Sequence, residues 1–321
     1  MSSITVYKQF TLAELAKQMN NGEVLEIAEV LAEQNEILQD AVWIEANQIA
    51  SHVGTKRKTL PTGTWRRANQ GVAVESSTTA QVTEPIGRLE ALADIDEAIL
   101  DLAKNKQQAR KNNDKAFLEG LSQNLADAVF YGNLSTDPEK FNGLAARFDA
   151  LSDSNVLGAG GTGDDTTSLW IIEWGPMSFH MIYPLNSKAG IDFADKGKVR
   201  VDDGTNPYYA YESQFVVQAG IYVHDDRCCQ RIANIETSGA DNTLDDDDVI
   251  EALNLLPKAG GNGATMIYVN RTIKTQMEIM AKDKANVNYS ADTAFGVPIT
   301  RFRGIPVRLC EALVNTETAI T

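Results

Sequence analysis

Residues 11–50 carry apolar side chains at intervals of three and four positions, which is the spacing of an amphipathic helix. The pattern is clearest in the stretch GEVLEIAEVLAEQNEILQDAVWIEANQ. Its apolar positions are Leu25, Ala28, Leu31, Ile37, Leu38 and Ala41. The spacing therefore predicts that this N-terminal region is helical.

The pattern changes at residues 51–88, which are rich in Thr, Val, Ser and Gly. Short runs with high strand propensity, GVAV and TTAQVT, predict a long hairpin or an extended loop. Apart from Trp65 the segment has few large apolar side chains, so it cannot form a core of its own. Because an isolated two-stranded ribbon is only marginally stable in water, we expect this segment to lie against another surface.

Residues 89–133 contain no proline and one internal glycine, Gly120, which favours a long helix. A continuous helix of this length would span about 65 Å at 1.5 Å per residue. Its apolar stripe is interrupted over residues 103–116, where Lys106 and Arg110 occupy positions on the same face. A helix buried in one core does not place cations in its own seam. Two alternatives remain open: the helix breaks near residues 112–113, or its middle projects to solvent or to another subunit.

From about residue 140 the pattern indicates mixed α and β structure. Strands are predicted at residues 168–175, 211–225 and 265–270. Helices are predicted at residues 245–257 and 271–284. The alternating stretch at residues 295–314 predicts a hairpin whose turn is marked by Gly304 and Pro306. Four consecutive carboxylates, Asp245 to Asp248, suit the start of a helix, where negative charge complements the helix dipole.

Composition and charge limit the classes of function. A chain of 321 residues with 43% hydrophobic residues can bury at least one substantial core and supports two packed units. The net charge is −15. This balance argues against a protein whose whole surface binds nucleic acid, because neutralising phosphates requires clustered lysine and arginine. It suits a soluble protein that avoids polyanions and premature contact with its own copies.

The sequence contains no signal for export or membrane insertion. The stretch MSSITVYKQFTLAELAKQ lacks the basic segment and apolar run of a signal peptide. No window approaches 18 consecutive apolar residues, so we expect no membrane span. The three cysteines, Cys228, Cys229 and Cys310, have neither the spacing of a disulfide framework nor that of a zinc site. Their arrangement fits a reducing compartment.

The stretch VLGAGGTGDD contains Gly158, Gly160 and Gly163 in the spacing G-x-G-x-x-G. A dinucleotide site with this motif requires a preceding strand, a following helix and an acid about 20 residues further on. Here two carboxylates and a strand-like run follow the glycines, and no lysine stands in Walker spacing. We therefore interpret the stretch as a surface loop and expect no bound cofactor.

Other candidate chemistry is equally sparse. His224, Asp225 and Asp226 could ligate a divalent metal, but no second histidine stands at helical or hairpin spacing from them. There is no G-x-S-x-G elbow for a serine nucleophile, and Cys228 is better explained as a partly buried thiol on a strand. A soluble metal- or nucleotide-dependent α/β enzyme remains an alternative that uses residues 140–290. On balance we expect a protein that is not an enzyme.

The predicted elements follow one another as an arm, a β extension without a core, a long helix, a mixed α/β body and a final hairpin. This order resembles that of one viral protein family. Particular segments point the same way: EVLAEQNEILQDAVWIEAN, LPTGTWRRANQGV, STTAQVTEPIGRLEA, FLEGLSQNLADAVFYGN, EKFNGLAARF and GIPVRLCEAL. Together they resemble segments of the major capsid proteins of tailed bacteriophages, which have the Hong Kong 97 type fold. The resemblance covers nearly the whole chain and implies an α+β protein.

The resemblance also implies a division of the chain. The N-terminal arm would be residues 1–50 and the E-loop residues 51–90. A peripheral domain with its spine helix would take residues 91–144, and a mixed α/β axial domain residues 145–290. Residues 291–321 would supply the return strands of the peripheral domain and the C-terminal tail. The E-loop of this fold lies over a neighbouring subunit, which would explain why residues 51–88 lack a core.

The function implied is self-assembly as pentamers and hexamers into an icosahedral shell around double-stranded DNA. The implied partners are other copies of the chain, a separate scaffolding protein, a portal protein, a decoration or cement protein, and loosely held DNA. Another virion structural protein, such as a tube or connector, is a further alternative. The expected interface residues are basic or aromatic: Trp65, Arg66, Arg67, Lys104, Lys106, Arg110, Lys111, Lys115, Arg301 and Arg303. The competing interpretations are that Trp65 caps its own subunit and that Lys104–Lys115 form a solvated helix face.

Overall fold

The computed structural model describes residues 19–20, 23–24, 33, 35–202, 205–239, 241–257, 265–282, 289–294 and 297–321. Most of the predicted N-terminal arm lies outside these ranges. The described α-helices are α1 (Ile37–Asp40), α2 (Glu97–Leu102), α3 (Lys106–Tyr131), α4 (Asp246–Leu255) and α5 (Arg271–Lys282). With the sheets below, they give the α+β class that the sequence predicts.

The strands are β1 (Met19–Asn20), β2 (Glu23–Val24), β3 (Trp43–Glu45), β4 (Ser51–Arg57), β5 (Thr79–Pro85), β6 (Gly87–Asp96), β7 (Val156–Gly158), β8 (Thr166–Glu173), β9 (Phe179–Tyr183), β10 (Ile191–Asp202), β11 (Pro207–Val223), β12 (Cys229–Glu236), β13 (Thr265–Val269), β14 (Tyr289–Ala294), β15 (Val297–Phe302) and β16 (Ile305–Leu309). A short 3-10 helix, Asp226–Cys228, connects β11 to β12.

A seven-stranded sheet lies at the centre of the core, in the order β14-β15-β16-β13-β8-β12-β7. Its strand β8 is buried over all eight residues. Successive side chains of a strand point to opposite faces. Leu169 and Ile171 therefore share a cluster with helices α4 and α5, whereas Trp170 and Ile172 share a cluster with the C-terminal half of α3. Helices thus cover both faces of the sheet.

The second large sheet is organised by β11, a strand of 17 residues. Its first part pairs with β10 on one side and with β6 on the other. Its last residues pair with β9, which in turn pairs with β3. Helix α3 lies across this sheet, where Phe117 stacks on Phe215 with ring centroids 6.1 Å apart. Strand β11 therefore links the long helix to the interior of the body.

Strands β4 and β5 form a separate two-stranded ribbon. Their antiparallel register runs from the pair Ser51 and Pro85 to the pair Arg57 and Thr79. Residues 58–78 connect the far ends of the two strands. We call this unit the long hairpin, with β4 and β5 as its stem and residues 58–78 as its tip. Of the two alternatives predicted for this region, the structure has the hairpin; the run TTAQVT contributes to β5, whereas GVAV at residues 71–74 lies in the irregular tip.

The predicted helix over residues 11–50 is wrong where the structure describes that region. Helix α1 has only four residues, and Trp43–Glu45 is a strand that pairs in parallel with β9. Ile37 is fully buried in the main apolar cluster. Tertiary packing and sheet pairing thus determine the structure at the end of this segment. Residues 25–32, which contributed three apolar positions to the prediction, lie outside the described residues.

The predicted helix over residues 89–133 is wrong in its first part, because residues 87–96 form β6. Leu89, Ala91, Ala93 and Ile95 alternate toward the interior, whereas Leu92 is half-exposed. These residues fit a period of two as well as a helical period. Pairing with β11 decides in favour of the strand.

The remaining helical residues divide between α2 and α3, and the break lies at residues 103–105 rather than near residues 112–113. The Asp96 carboxylate caps α2 by accepting from the Ala98 amide at 2.8 Å, and the Asn105 side chain caps α3 by accepting from the Gln108 amide at 3.1 Å. Such caps satisfy amide groups that have no partner within their helix. Helix α3 then runs unbroken for 26 residues.

The C-terminal half of the chain follows the sequence predictions closely. Strands β8, β11 and β13 and helices α4 and α5 lie where they were predicted. The Asp245 carboxylate caps α4 by accepting from the Asp247 amide. The hairpin of β15 and β16 turns at Arg303 and Gly304, whose φ angles are +47° and +83°. Pro306 lies within β16 instead of in the turn.

The first three residues of the glycine-rich stretch, Val156–Gly158, form β7, and the rest, residues 159–165, form a loop, as predicted. It leads from β7 directly into β8, so no helix follows the glycines. Gly160 and Gly163 have φ angles of +90° and +94°, a region that glycine enters without steric cost. The Gly163 carbonyl accepts a hydrogen bond of 2.8 Å from the Ala319 amide. The loop therefore holds the C-terminal tail, and a strand follows it where a dinucleotide motif requires a helix.

The C-terminal tail crosses β8 and is fixed by a buried polar cluster. Glu317 accepts from the Tyr131 hydroxyl at 2.6 Å, from the Ser168 hydroxyl, and from Arg231 Nη2 at 3.0 Å. Arg231 also donates to the Phe148 carbonyl at 2.6 Å. The side chains of Arg231 and Glu317 are 4% and 7% exposed. The tail is thus an integral part of the core.

Candidate assembly interfaces

The tip of the long hairpin exposes large apolar side chains. Trp65 and Val74 are fully exposed, and Leu60 and Val72 are more than half exposed. Soluble monomers rarely present such groups together on one projecting segment. The structure therefore does not support the interpretation that Trp65 caps the core of its own subunit.

The tip is nevertheless ordered by its own hydrogen bonds. The Glu75 carboxylate accepts from the backbone amides of Thr62 and Gly63 at 2.8 and 3.0 Å. Arg66 donates to the Gln70 carbonyl at 3.0 Å, which closes a turn beside Trp65. A segment with internal order loses less conformational entropy when it binds a partner.

The stem of the long hairpin is attached to the body by two ion pairs. Arg147 donates to both carboxylate oxygens of Glu84, each at 2.7 Å, and both side chains are largely buried. Such two-pronged pairs are among the stronger hydrogen-bonded contacts. At the surface, Lys56 lies 2.8 Å from Asp226. One strand of the stem is therefore held through Glu84 and the other through Lys56.

Tyr222 of the body packs closely against the stem. This side chain is 2% exposed and lies beneath Gly54 of β4. A Cβ atom placed on Gly54 would lie 1.7 Å from the Tyr222 hydroxyl oxygen. Only glycine fits at this position while the stem stays where it is.

We expect Gly54→Ala to loosen the stem, because overpacking costs about 1–3 kcal/mol, which is a change of about 5-fold to 150-fold in an opening equilibrium. The measurement is hydrogen–deuterium exchange of peptides from residues 51–57 and 79–85. Gly71→Ala in the tip is the matched control, since a Cβ there meets nothing within 4 Å. Equal exchange in the two variants would contradict this account of Gly54.

Arg110, on the face of α3 that the sequence left in question, is bound to the second sheet. Its guanidinium donates to both carboxylate oxygens of Asp195 at 2.8 and 3.1 Å and to the Ser213 hydroxyl at 3.1 Å. It also lies over the Tyr211 ring, 5.6 Å from the centroid. These contacts hold α3 against β10 and β11, so the middle of the helix is attached to its own subunit.

The lysines of the same region lie at the surface. Lys104, Lys106, Lys111 and Lys115 are all exposed. Lys106 pairs with Asp101 of α2. Near the C-terminal hairpin, Arg301 donates to the Gly304 carbonyl at 3.1 Å, and Arg303 is exposed in the turn. The predicted interface residues therefore lie on separate surfaces: the hairpin tip, the start of α3, and the β15–β16 turn.

The sequence analysis did not predict the ion pairs that attach α1 to the central sheet. Arg308 of β16 binds Asp40 at 3.0 Å and Glu36 at 3.2 Å, which fixes α1 to the central sheet. The Tyr268 hydroxyl donates to Asp40 at 3.3 Å and accepts from the Trp174 indole at 2.6 Å. Burial raises the pKa of Asp40, and Arg308 partly opposes that effect. The partners are about 270 residues apart in the chain, so no local pattern reveals them.

The proposed metal ligands are engaged elsewhere. Asp225 accepts from Arg227 at 2.7 and 3.0 Å, and Asp226 pairs with Lys56. The hydrogen bond with Arg227 is the main cause that lowers the pKa of Asp225. Among the described residues, the acidic groups that cluster closely enough to hold an ion are Asp245–Asp247 at the start of α4, where the helix dipole accounts for them. The two carboxylates beside His224 are therefore already bound by cationic side chains of the same chain.

The three cysteines are buried, and no disulfide bond joins any two of them. Burial raises the pKa of Cys229 well above its ordinary value and raises that of Cys310 to about 12. Since the thiolate is the reactive form, the raised pKa values make Cys229 and Cys310 poor nucleophiles near neutral pH.

We expect a maleimide reagent at neutral pH to label less than one thiol per folded chain in the time that fully labels three thiols of the unfolded chain. All three thiols are shielded from the reagent by burial, and the raised pKa values of Cys229 and Cys310 also suppress their thiolate forms. Mass spectrometry with and without denaturant checks this result. Rapid labelling of the native chain at Cys228 or Cys229 would contradict it.

None of the described helices combines the length and the apolar character that crossing a membrane requires.

Comparison with known families identifies the class of protein. The family model described as major capsid protein GP7 matches residues 19–321. The chain belongs to this family. It is a structural protein of a bacteriophage capsid, as the sequence segments indicated.

Solved structures give a more particular likeness. A chain of the cryo-EM structure of bacteriophage Epsilon15 is 29% identical, covers 100% of both chains and superposes with a TM-score of 0.79. The capsid of Myoviridae phage XM1 is 14% identical, with a TM-score of 0.45, over 71% of this chain and 100% of that one. The capsid of an empty GTA particle is 12% identical, with a TM-score of 0.43, over 70% and 97% of the two chains. None of the curated proteins compared matches this chain.

Proposed function

We propose that this major capsid protein assembles as pentamers and hexamers into the icosahedral head shell of a tailed phage and encloses double-stranded DNA. The observation on which the proposal depends is the exposed apolar tip of the long hairpin. Ion pairs hold the stem to the body, and the tip projects from this stem. The apolar side chains of the tip are therefore not part of the core of their own subunit. A closed shell of many copies would bury every tip.

In this proposal the tip of one subunit lies on the surface of its neighbour, as the E-loop role implies. Trp65 is the anchor, because large aromatic side chains dominate the energetics of protein interfaces. Arg66 and Arg67 flank it and meet carboxylates, which an acidic chain with a net charge of −15 provides on every copy. Many such modest contacts give a shell its avidity.

The regional roles follow the predicted division of the chain. Residues 1–50 form the N-terminal arm, with Glu36 and Asp40 as its fixed root, and residues 51–90 form the E-loop. Residues 91–144 contain the spine helix α3, residues 145–290 form the axial domain, and residues 291–321 return to the peripheral domain. The attachment of α1 to β16 by Arg308 supports an arm that starts from a fixed point on the central sheet.

The remaining basic residues serve as secondary contacts between subunits. Exposed Lys104, Lys106, Lys111 and Lys115 lie near the start of the spine helix, and Arg301 and Arg303 lie at the β15–β16 turn. Arg110 has a different role, because its pairing with Asp195 within the subunit positions the helix that carries these lysines.

Assembly takes place in the host cytoplasm with a separate scaffolding protein and a portal protein, and a decoration protein binds the finished shell. The packaged DNA makes loose, non-specific contacts, because the acidic balance of the chain disfavours tight binding to phosphates.

The test is negative-stain electron microscopy of the chain expressed with and without neighbouring genes of its source genome. We expect closed shells of uniform diameter, with a scaffold among the genes required. Open tubes or single rings would favour a tube or connector. Small discrete particles under every condition would contradict the proposal.

A further inference from the structure

The three histidines of the chain meet at the stem of the long hairpin, although they lie far apart in the sequence. His52 is on β4, His180 is on β9 and His224 directly follows β11. Their rings surround Tyr222, with centroids at 4.6, 5.3 and 6.1 Å from its own. The rings of His52 and His180 are edge-on to each other at 6.3 Å. This group, the histidine cluster, occupies the contact between stem and body.

The cluster is built for neutral imidazoles. His180 is 3% exposed, and its ring N–H donates a hydrogen bond to the backbone carbonyl of Gly175. Within the described part of the chain, the Nδ1 atoms of His52 and His180 are enclosed without a hydrogen-bond partner. A proton on either atom would create a buried donor with nothing to accept from it. At His180 it would also place a cation beside a second imidazole and away from water.

The charged groups around the cluster are already paired. Glu84 stands opposite His52 in the register of the stem, but both of its carboxylate oxygens accept from Arg147. Asp226, on the connection after β11, pairs with Lys56 of β4. Tyr222 lies between these groups, and burial raises the pKa of its hydroxyl. The anions at this contact are therefore committed to cations other than the histidines.

We propose that the histidine cluster is a pH-sensitive latch, which holds the stem of the long hairpin to the body while the imidazoles are neutral and releases it when they are protonated. The latch concerns the attachment of the hairpin to its own subunit, so it does not depend on what the tip binds.

The direction of the pH effect follows from linkage. Burial lowers the pKa of His180 from 6.5 to about 4 and lowers that of His52 in the same direction. A histidine whose pKa is lowered in the closed state binds protons more readily after release. The stabilisation of the closed state is therefore fully present above pH 6.5. It is progressively lost as the pH falls from 6.5 toward the lowered pKa of His180, about 4. At about pH 5, His180 alone shifts the equilibrium by up to about 30-fold if release restores its ordinary pKa.

The experiment is hydrogen–deuterium exchange of the full-length, unassembled chain at about pH 7.5 and about pH 5, corrected for intrinsic rates, where linkage predicts the difference. We expect peptides from residues 51–57 and 79–85 to exchange about 3-fold to 30-fold faster at the lower pH. The variant with His52→Gln and His180→Gln loses this ratio. Because no shell is involved, the outcome is independent of whether the chain assembles as proposed.

Asp226→Asn is the matched control. It breaks the surface pair with Lys56, so it accelerates exchange at both pH values and leaves their ratio as in the unaltered chain. A pH-independent rate in the unaltered chain overturns the proposal, and so does an undiminished ratio in the histidine variant. If that variant does not fold, NMR titration of the three labelled imidazoles decides. The latch requires two of them to titrate well below pH 6.5, and ordinary titration of all three overturns it.

Discussion

Replacing Glu317 by glutamine is expected to lower the free energy of unfolding by about 3–5 kcal/mol, the cost of leaving a buried charge without its counter-ion. Glu317 accepts from Tyr131, Ser168 and Arg231, and the guanidinium of Arg231 has almost no contact with solvent. The loss is a large part of the stability of a typical domain. Denaturant unfolding of the purified, unassembled chain measures it.

The control for this prediction is Asp137→Asn, which breaks the exposed pair with Lys140. An exposed pair of this kind contributes about 0–1 kcal/mol. A second variant replaces both buried partners, with Arg231→Met and Glu317→Leu, and should recover part of the loss because no unpaired charge remains. If Glu317→Gln costs no more than Asp137→Asn, the buried pair does not fix the C-terminal tail in the way described.

Trp65→Ala is expected to abolish or sharply reduce shell formation while the subunit stays folded. An aromatic anchor at the centre of an interface contributes about 2 kcal/mol or more, which is about 30-fold in each contact, and the effect is repeated at every copy. Trp65 is fully exposed, so its removal takes nothing from the core. The unfolding free energy should therefore change by no more than about 0.5 kcal/mol.

Sedimentation and negative-stain microscopy measure the fraction of chains in shells. Met177→Ala is a suitable control, because Met177 is also an exposed apolar side chain but lies between β8 and β9, outside the hairpin tip. Normal assembly of the Trp65 variant, or equal loss in both variants, would contradict the role given to the tip.

Sequence patterns predicted much of the body correctly. They did so where the residues that determine a helix, strand or turn lie within that element itself. Asp245 caps α4 as its position before an apolar run suggested. The alternation on both sides of Gly304 gave the β15–β16 hairpin and its turn. The lack of large apolar residues around Trp65 indicated a hairpin without a core, and the exposed tip has this character.

The wrong predictions concern residues whose structure depends on partners far away in the sequence. Leu89 to Ile95 satisfy both a helical period and a strand period, and only pairing with β11, more than 100 residues later, selects the strand. Arg110 looked like a misplaced cation because Asp195 is 85 residues away. The histidine cluster and the root of the arm at Asp40 are assembled in the same way from separate strands, so no spacing in the sequence reveals them.

The most direct test of the central claim is a cryo-EM map of the assembled shell that resolves residues 58–78. The account predicts that the tip of each long hairpin lies on a neighbouring subunit, with Trp65 buried at that contact and Arg66 or Arg67 beside a carboxylate of the neighbour. Tips that fold back on their own subunits, or that stand free in solvent with Trp65 uncovered, would contradict it.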